Sequence, residues 1–238
     1  TPCGTLFPYT TLFRSELAGD VEAVGEKVTR FKPGDAVLAS TFGENFGGYA
    51  EYKCLPENGV LALKPANLTY EQAAALPGAG MTALQCLKKG NIQPGQNVLI
   101  YGASGAVGTY AVQLASHHFG ADVTGVCSAS NLELVRYLGA SKVIDYTHED
   151  FTQSGKTYDV IFDAVGKLSR SQEKRARQQA DVYLNVQSDS DGGHKLEALL
   201  QLKELAEAGV IKPVIDRVYS LDEIVEAHRY VEKGHKKG

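Results

Sequence analysis

The chain has 238 residues, of which 43% are hydrophobic and 22% are charged, and its formal net charge is −4. This length allows one large domain or two modest ones with a buried core, and the composition is ordinary for a soluble globular protein. A mildly acidic chain has no general attraction to nucleic acid or to an anionic membrane, and its apolar runs are too short to span a bilayer. We therefore expect neither nucleic acid nor membrane among its partners.

The cysteines are widely separated along the chain, at Cys3, Cys54, Cys86 and Cys127. They form no Cys-x-x-Cys pair, so their spacing argues against a disulfide framework and against a thiolate zinc cluster. A reducing compartment suits such a chain, and we expect a cytoplasmic protein. The last three of these cysteines are expected to be small core or half-buried residues.

Residues 1–15 differ in character from the rest of the chain. The decapeptide at residues 6–15 reads LFPYTTLFRS and matches the in-frame translation of a common short-read sequencing adapter. A match of this length is hard to attribute to chance, and the segment lacks the basic and apolar regions of a secretory signal. An ordinary native N-terminus is the alternative. We expect residues 1–15 to be foreign to the fold and to make no functional contact.

The segment that follows has the pattern of short strands separated by glycine turns. Apolar runs at residues 21–24 and 36–39 flank a Lys-Pro-Gly-Asp turn, and residues 47–52 and 60–63 continue this pattern. We therefore expect a β-rich first domain.

Helical patterns begin at Thr69. Thr69 and Gln72 have the spacing of a capping box, and the helix that they open runs on to residue 87, with Pro77 kinking or breaking it. From residue 97 strands alternate with helices: strands are predicted at residues 98–101, 122–126, 143–145 and 160–163, and helices at residues 106–118 and 131–138. This βαβ rhythm predicts a doubly wound parallel sheet with helices on both faces, an α/β fold.

The remaining part is less regular. We predict a solvated helix at residues 169–179, a strand at 182–186, a loop at 188–193, a helix at 195–208 and a strand near 214–218. Ser220 and Glu223 form a second capping box before a last helix at residues 221–231.

The strand at residues 98–101 runs directly into a glycine-rich turn that opens a helix. The pyrophosphate of a dinucleotide binds backbone amides at a helix N-terminus, where no side chain can stand in the way. Gly105 allows that close approach and Gly108 lets the helix pack tightly on the strand, while Ala103 replaces the first glycine of the usual Gly-x-Gly-x-x-Gly pattern. Because the turn begins a full βαβ unit, it predicts a cofactor site; a merely structural turn is the alternative.

The end of the second strand indicates which nucleotide binds. NAD-dependent enzymes usually place Asp or Glu there to hold the ribose 2′-hydroxyl. Here residues 127–132, between the strand end and Glu133, contain no carboxylate, so a 2′-phosphate meets no repulsion, and Ser128 offers it a hydroxyl donor. After the strand, the first Lys or Arg is Arg136, so the argument is mainly subtractive; it favours NADPH and leaves NADH open. Ser130 and Glu133 alternatively fit a capping box.

Several segments together carry a family resemblance. Residues 16–25 and 31–35 are similar to the core signature of medium-chain dehydrogenases/reductases, and residues 73–83 are similar to the segment that precedes their cofactor domain. Residues 138–140, 143–146 and 159–166 match later landmarks. From residue 16 onward the sequence resembles this superfamily, and it lies closest to the zinc-independent, quinone oxidoreductase-like branch.

The resemblance implies a fold and a set of site residues. It implies a partial GroES-like β-barrel catalytic domain at residues 16–70, a Rossmann cofactor domain at 71–212 and a return to the catalytic domain at 213–238. Since relatives continue at both ends, we expect a truncated barrel. Thr82 would lie near the nicotinamide, Tyr146 near the adenosine end, and Val165 and Gly166 at the cofactor cleft. The expected cofactor-binding residues are Thr82, Gly102, Ala103, Ser104, Gly105, Ala106, Val107, Gly108, Ser128, Asn131, Tyr146, Val165 and Gly166.

The resemblance also bears on zinc. Zinc alcohol dehydrogenases of this superfamily place a cysteine at the position that matches Ala79, and they often carry four clustered cysteines for a structural zinc. Alanine cannot bind a metal, and a catalytic zinc needs three protein ligands. We therefore expect no metal site. The position of their zinc-binding histidine matches Ser15, at the junction with the adapter-like segment.

These expectations define a function. We expect a zinc-independent, NAD(P)H-dependent oxidoreductase that transfers a hydride to a quinone, enone or carbonyl compound, so that its partner is a small-molecule substrate. A homodimer is left open, and no proton donor can be named. Two alternatives remain: a zinc-type alcohol dehydrogenase, and a dinucleotide-binding or redox-sensing protein without turnover.

Overall fold

The structure is a computed structural model that describes residues 15–190, 193–234 and 236–238. Apart from Ser15, the adapter-like segment lies outside the described residues, and its foreign origin stays a prediction. Asp191 and Gly192, in the predicted loop at residues 188–193, also lie outside them.

The N-terminal part contains a three-stranded antiparallel sheet. Strand β1 spans Glu16–Asp20, β2 spans Ala36–Ser40 and β3 spans Leu61–Leu63, and β2 lies between the other two. Val37 and Ala39 of β2 pack into a small apolar core of this sheet. The strands predicted at residues 36–39 and 60–63 are confirmed.

Two other strands predicted for this part are wrong. At residues 21–24 the strand has already ended: Val21 still exchanges backbone hydrogen bonds with the turn at Gly34 and Asp35, but Val24 is exposed and packs on no core. At residues 47–52 no strand among the described residues pairs with the chain, and Gly47 has a φ of +89° that interrupts extended backbone.

Two helices separated by a proline connect this sheet to the next. Helix α1 spans Tyr70–Ala74 and begins at the predicted capping box, in which the side chains of Thr69 and Gln72 each accept from the other's backbone N–H. Helix α2 spans Pro77–Lys89. Pro77 occupies its first position, where the missing N–H would have no partner inside the helix. The predicted break at Pro77 is confirmed.

The larger sheet has five parallel strands in the order β6-β5-β4-β7-β8. The strands are β4 (Asn97–Tyr101), β5 (Asp122–Cys127), β6 (Lys142–Asp145), β7 (Tyr158–Asp163) and β8 (Ala180–Asn185). The chain reverses its direction of travel across the sheet at β4, the switch point at which open α/β sheets bind ligands. All of the predicted strands of this sheet are confirmed.

Helices cover both faces of this sheet, as predicted. They are α3 (Ala106–Gln113, continued as a π-helical segment over Leu114–His118), α4 (Leu132–Tyr137), α5 (Arg170–Gln178), α6 (Val186–Asp189) and α7 (Leu196–Glu207). The main core lies between the sheet and helices α2, α3, α4 and α7, and a smaller core lies on the α5 face. In the part of the chain that the structure describes, no helix has the length and apolar character needed to cross a membrane.

The C-terminal part matches the prediction incompletely. The loop predicted at residues 188–193 starts later, because the Asn185 side chain accepts from Gln187 N–H and opens the short helix α6. No strand forms at residues 214–218, where Val218 lies on the surface and no described strand runs alongside. The second capping box, between Ser220 and Glu223, is present before α8 (Ile224–Glu232).

The cysteines agree with expectation at two of three described positions. Cys86 and Cys127 are buried, whereas Cys54 is exposed. Cys54 lies in the segment after residue 47 that forms no strand, so it has no sheet face to pack into.

Candidate dinucleotide site

The glycine-rich loop brings the start of α3 onto the end of β4. Gly102 has a φ of +80°, in the left-handed region that favours glycine, and a Cβ there would lie 2.1 Å from Val165 Cγ2. A Cβ on Gly108 would lie 2.1 Å from the carbonyl oxygen of Gly102. Both glycines are therefore required for this packing, as the sequence predicted for Gly108.

Gly105 differs from the other two glycines because packing inside the protein does not require it. It is the residue before α3, and a Cβ there would make only an ordinary contact, 3.5 Å from Gly102 O. The first amides of a helix have no acceptor within it, and the helix dipole makes that end positive. Room beside Gly105, together with the amides of Ala106, Val107 and Gly108, fits the pyrophosphate of a dinucleotide.

Asn131 connects this loop to the end of β5. Its Nδ2 donates to Ser104 Oγ at 3.1 Å and to Ser128 Oγ at 3.2 Å. Its Oδ1 is buried, and the described part of the structure gives it no hydrogen-bond partner. A buried acceptor without a donor is unfavourable, so this oxygen is suited to accept from a hydroxyl of a bound ribose.

The alternative role for Ser130, a capping box with Glu133, is wrong. Helix α4 starts at Leu132 after a 3₁₀ turn, and no side chain caps it. Glu133 instead forms an exposed ion pair with Arg136, with 2.5 Å between Oε1 and Nη1. Arg136, the basic residue of α4, therefore pairs with a carboxylate of its own helix.

Two further predicted residues lie on elements beside the loop. Tyr146 follows β6, and its N–H donates to Cys127 O at 3.1 Å, which places it next to the end of β5; its side chain is 48% exposed. Thr82 is half-buried on α2, which packs against α3. The structure thus gathers the other predicted residues at the C-terminal edge of the sheet and places Thr82 on the adjoining helix.

Asp163 is a buried residue of this edge that the sequence analysis missed. It ends β7, and its Oδ1 accepts from the N–H groups of Val165 at 3.0 Å and Gly166 at 2.7 Å. Its Oδ2 accepts from Tyr183 Oη at 3.2 Å and Asn185 Nδ2 at 3.3 Å. The carboxylate therefore fixes the turn that carries the two expected cleft residues. A charged residue at the end of an apolar strand is the sequence signal that points to it.

A second missed residue, Glu16, connects the antiparallel sheet to α2. Its carboxyl oxygens accept from the N–H groups of Gly78 and Ala79, in the first turn of a helix that has no side-chain cap of its own. A Cβ on Gly78 would lie 2.5 Å from Glu16 Oε1, so the glycine makes room for the carboxyl group. Burial raises the pKa of Glu16, and these backbone bonds and Lys236 act in the opposite direction.

Ala79 is the residue that the sequence resemblance matches to a zinc-binding cysteine. It lies in the first turn of α2, with its N–H directed to Glu16. Among the residues that the structure describes, no three His, Cys, Asp or Glu side chains are grouped so as to hold a metal ion.

A doubly wound parallel sheet with a glycine-rich turn at its switch point is the architecture of a Rossmann domain. Comparison with family models identifies both parts of the chain. Residues 4–65 match the alcohol dehydrogenase GroES-like domain, and residues 106–179 and 166–238 match models described as zinc-binding dehydrogenase. The first match includes part of the adapter-like segment, and the domain boundaries given above stay predictions.

Named relatives agree with these models. The chain is 35% identical to 2-methylene-furan-3-one reductase of Solanum lycopersicum and 34% identical to NADPH-dependent alkenal/one oxidoreductase of Arabidopsis thaliana, with 97% of this chain covered in each case. It spans 63% of the length of both relatives. It is 32% identical to quinone-oxidoreductase QR1 of Triphysaria versicolor, with 94% of this chain and 77% of that protein covered.

A solved structure shows the same architecture. The quinone oxidoreductase of Coxiella burnetii superposes with a TM-score of 0.80 at 28% identity, over 94% of this chain and 76% of that one. The chain therefore belongs to the medium-chain dehydrogenase/reductase superfamily. The predicted resemblance and the predicted fold class, a Rossmann domain with a GroES-like domain, are confirmed.

The contact between Glu16 and α2 leads to a prediction about stability. Replacing Glu16 with alanine leaves two N–H groups without their acceptor, and we expect E16A to lower the free energy of unfolding by about 1–3 kcal/mol. E16Q keeps an acceptor oxygen and should lose much less. Because the folded-state pKa of Glu16 is raised, the wild type should lose stability as the pH rises from the unfolded value of 4.5 through the folded one, and E16Q should lack this change.

Urea unfolding of the wild type and both variants across that pH range measures these effects. Equal losses in E16A and E16Q, or a pH dependence that persists in E16Q, would contradict the assignment of the carboxyl group as the cap of α2.

Proposed function

We propose that this chain is part of an NAD(P)H-dependent oxidoreductase that reduces quinones, enones or carbonyl compounds. The observation that carries the proposal is the loop at Gly105, where free helix amides and room for a ligand coincide at the switch point of the sheet. The names of the relatives, which include an alkenal/one oxidoreductase and quinone oxidoreductases, support this substrate class. When bound, the nicotinamide supplies the hydride; the chain binds it, orients it and excludes water.

Each part of the site has a proposed task. The amides at the start of α3 hold the pyrophosphate, and Asn131 Oδ1 accepts from a ribose hydroxyl. Val165 and Gly166, held by Asp163, form the wall of the cleft beside the loop. Thr82 lies near the nicotinamide, and Tyr146 lies at the adenosine end.

The direct test is consumption of NADPH by the purified chain with a naphthoquinone, a 2-alkenal and a ketone, followed by absorbance. We expect turnover with at least one acceptor. Nucleotide binding without turnover across a broad set of acceptors would favour the non-catalytic alternative.

Substitution of Gly105 with valine tests the pyrophosphate site. A branched side chain there would stand where the phosphate approaches the amides. Since hydrogen bonds to a charged group contribute about 1.5–3 kcal/mol, G105V should weaken nucleotide binding about tenfold or more. Titration of NADPH fluorescence measures this without turnover.

The matched control for G105V is Gly25→Val, because Gly25 lies in an exposed turn with nothing within 4 Å of an added Cβ. G25V should bind NADPH as the wild type does. Unchanged affinity in a folded G105V variant would show that the loop has only a structural role.

We propose further that the nucleotide is NADPH, with Ser128 meeting the 2′-phosphate. Ser128 directly follows β5 and is half-buried. The Asn131 amide connects its hydroxyl to that of Ser104, because Nδ2 donates to both oxygens. S128D should lower kcat/KM for NADPH and raise it for NADH, because a carboxylate repels the phosphate and accepts from ribose hydroxyls. A bond from Ser128 to the charged phosphate corresponds to about tenfold preference or better.

The control for this substitution is Ser154→Asp. It adds the same charge before β7, at the N-terminal ends of the parallel strands, whereas Ser128 lies at their C-terminal ends. A wild type that prefers NADH, or a cofactor ratio that S128D does not change, would show that the nucleotide is recognised elsewhere.

We propose that the enzyme needs no zinc, since Ala79 cannot supply the ligand that zinc enzymes of this superfamily have there. A catalytic zinc requires three protein ligands. Elemental analysis should find no stoichiometric zinc, and treatment with a chelator should leave both NADPH affinity and rate unchanged. Stoichiometric zinc whose removal abolishes turnover would overturn this proposal.

The cellular setting is also a proposal. Reduced thiols at Cys54 and Cys127 suit the cytoplasm, although the names of relatives include chloroplastic and mitochondrial proteins. Among the described strands, β8 lies at an edge of the parallel sheet, and we propose this edge as the place where a second copy of the chain would extend the sheet.

A further inference from the structure

A histidine and a serine that are far apart in sequence join the two sheets. His194 Nδ1 lies 2.5 Å from Ser40 Oγ, across a separation of 154 residues. Ser40 is the last residue of β2 in the antiparallel sheet. His194 belongs to the segment that follows the C-terminal end of β8 in the parallel sheet. The pair therefore lies between the two sheets, on the side where the parallel strands end.

Ser40 can hold the imidazole ring in both of its protonation states. Ser40 is 2% exposed, and its Oγ also accepts from Phe42 N–H at 3.2 Å. A hydroxyl has one hydrogen and two lone pairs, so Ser40 keeps a hydrogen and a lone pair for His194. It can donate to a neutral Nδ1 or accept from a protonated one. The hydrogen bond to Ser40 is therefore compatible with both protonation states of the ring.

Two contacts tie the histidine segment to the proposed nicotinamide end of the site. Gln85 Nε2 donates to Gly193 O at 2.6 Å, and Gln85 lies three residues after Thr82, on the same face of α2. Nearer β8, the Gln187 side chain packs against Gly166, where an added Cβ would lie 2.7 Å from it.

An aromatic surface adjoins the histidine. The ring of Phe42 is centred 5.0 Å from that of His194 and is 41% exposed, and Phe46 packs edge-on against it at 5.7 Å. Asn45 and Phe46 have φ values of +56° and +55°, a region that bulky residues rarely adopt and that is common at ligand sites. Exposed rings next to a polar group suit a flat conjugated molecule.

We propose that His194 is the proton donor of the reduction, that Ser40 is its positioning residue, and that Phe42 contacts the acceptor. This inference rests on the proposed function. The nicotinamide, when bound, would supply the hydride: its C–H bond would break and it would be oxidised by two electrons. In the acceptor a C–H bond forms, a π bond of the carbonyl or conjugated system breaks, and that electron pair goes to the carbonyl oxygen. The N–H bond of protonated His194 breaks as the O–H bond forms, and the neutral imidazole takes up a proton from solvent.

The first experiment combines His194→Ala with added imidazole. With saturating NADPH and a quinone, kcat should fall about 100-fold or more, the magnitude typical of a general acid, while NADPH affinity by fluorescence stays unchanged. Imidazole in solution should restore part of the rate. His118→Ala, at the end of the π-helical segment, is the matched control and should change neither quantity.

Ser40→Ala separates positioning from proton donation. It should lower kcat less than H194A, and imidazole should not restore the rate because the ring is still present. A folded H194A variant that keeps the wild-type kcat, or that imidazole fails to restore, overturns the assignment. If the wild type turns over while H194A gives either of these results, the proposed function stands and only the assignment of His194 is rejected. If the wild type shows no turnover with any acceptor, both the proposed function and the assignment are rejected.

A second measurement locates the acceptor without turnover. The chain has no tryptophan, so Phe42→Trp introduces a single tryptophan on the aromatic surface, which can be excited apart from the tyrosines. With NADP⁺ present, a naphthoquinone should quench it saturably, whereas Tyr137→Trp, at a position 79% exposed on α4, should show only linear collisional quenching. Linear quenching of equal slope in both variants would place the acceptor elsewhere and overturn the proposal.

Discussion

The close contact between α3 and the end of β4 is the constraint on which the rest of the site depends. Gly102 and Gly108 let the helix begin directly against the strand, because a Cβ on either would overlap its neighbours. The first amides of α3 are thereby brought to the edge at which β5 and β7 also end. Val165 packs against Gly102, and Asn131 reaches Ser104, so the turns after both neighbouring strands are positioned by the same packing.

The sequence predicted the features that local patterns determine and missed those that depend on distant partners. The parallel strands, both capping boxes and the break at Pro77 follow from apolar runs and residue spacing within a few positions. The strands expected at residues 21–24, 47–52 and 214–218 did not form, because a strand requires a neighbour that no local pattern specifies. Asp163 is an acidic residue but is buried, and two of its four donors, Tyr183 and Asn185, come from β8, about 20 residues further along the chain.

Two of the polar contacts between the strands of the antiparallel sheet and the rest of the chain differ in their partners, one at Glu16 and one at Ser40. Glu16 is buried, and its carboxyl group accepts from backbone N–H groups at the start of α2, so this contact stabilises the helix start. Ser40 and His194 meet through their side chains, with Ser40 buried and His194 half-buried. The first contact ends on backbone groups, whereas the second joins two side chains that can each donate or accept.

The carboxyl group of Glu16 has a consequence for how an anion meets this protein. Helices α2 and α3 pack together, and the Tyr110 side chain of α3 donates to Ala75 O, two residues before α2, at 2.9 Å. Two such helix starts would offer two competing sites for phosphate. The chain's own carboxyl oxygens already occupy the amides of α2, whereas Gly105 leaves those of α3 accessible. Of these two helix starts, therefore, the start of α3 is the one left open to the phosphates of the proposed ligand, so the chain itself removes α2 as a competitor.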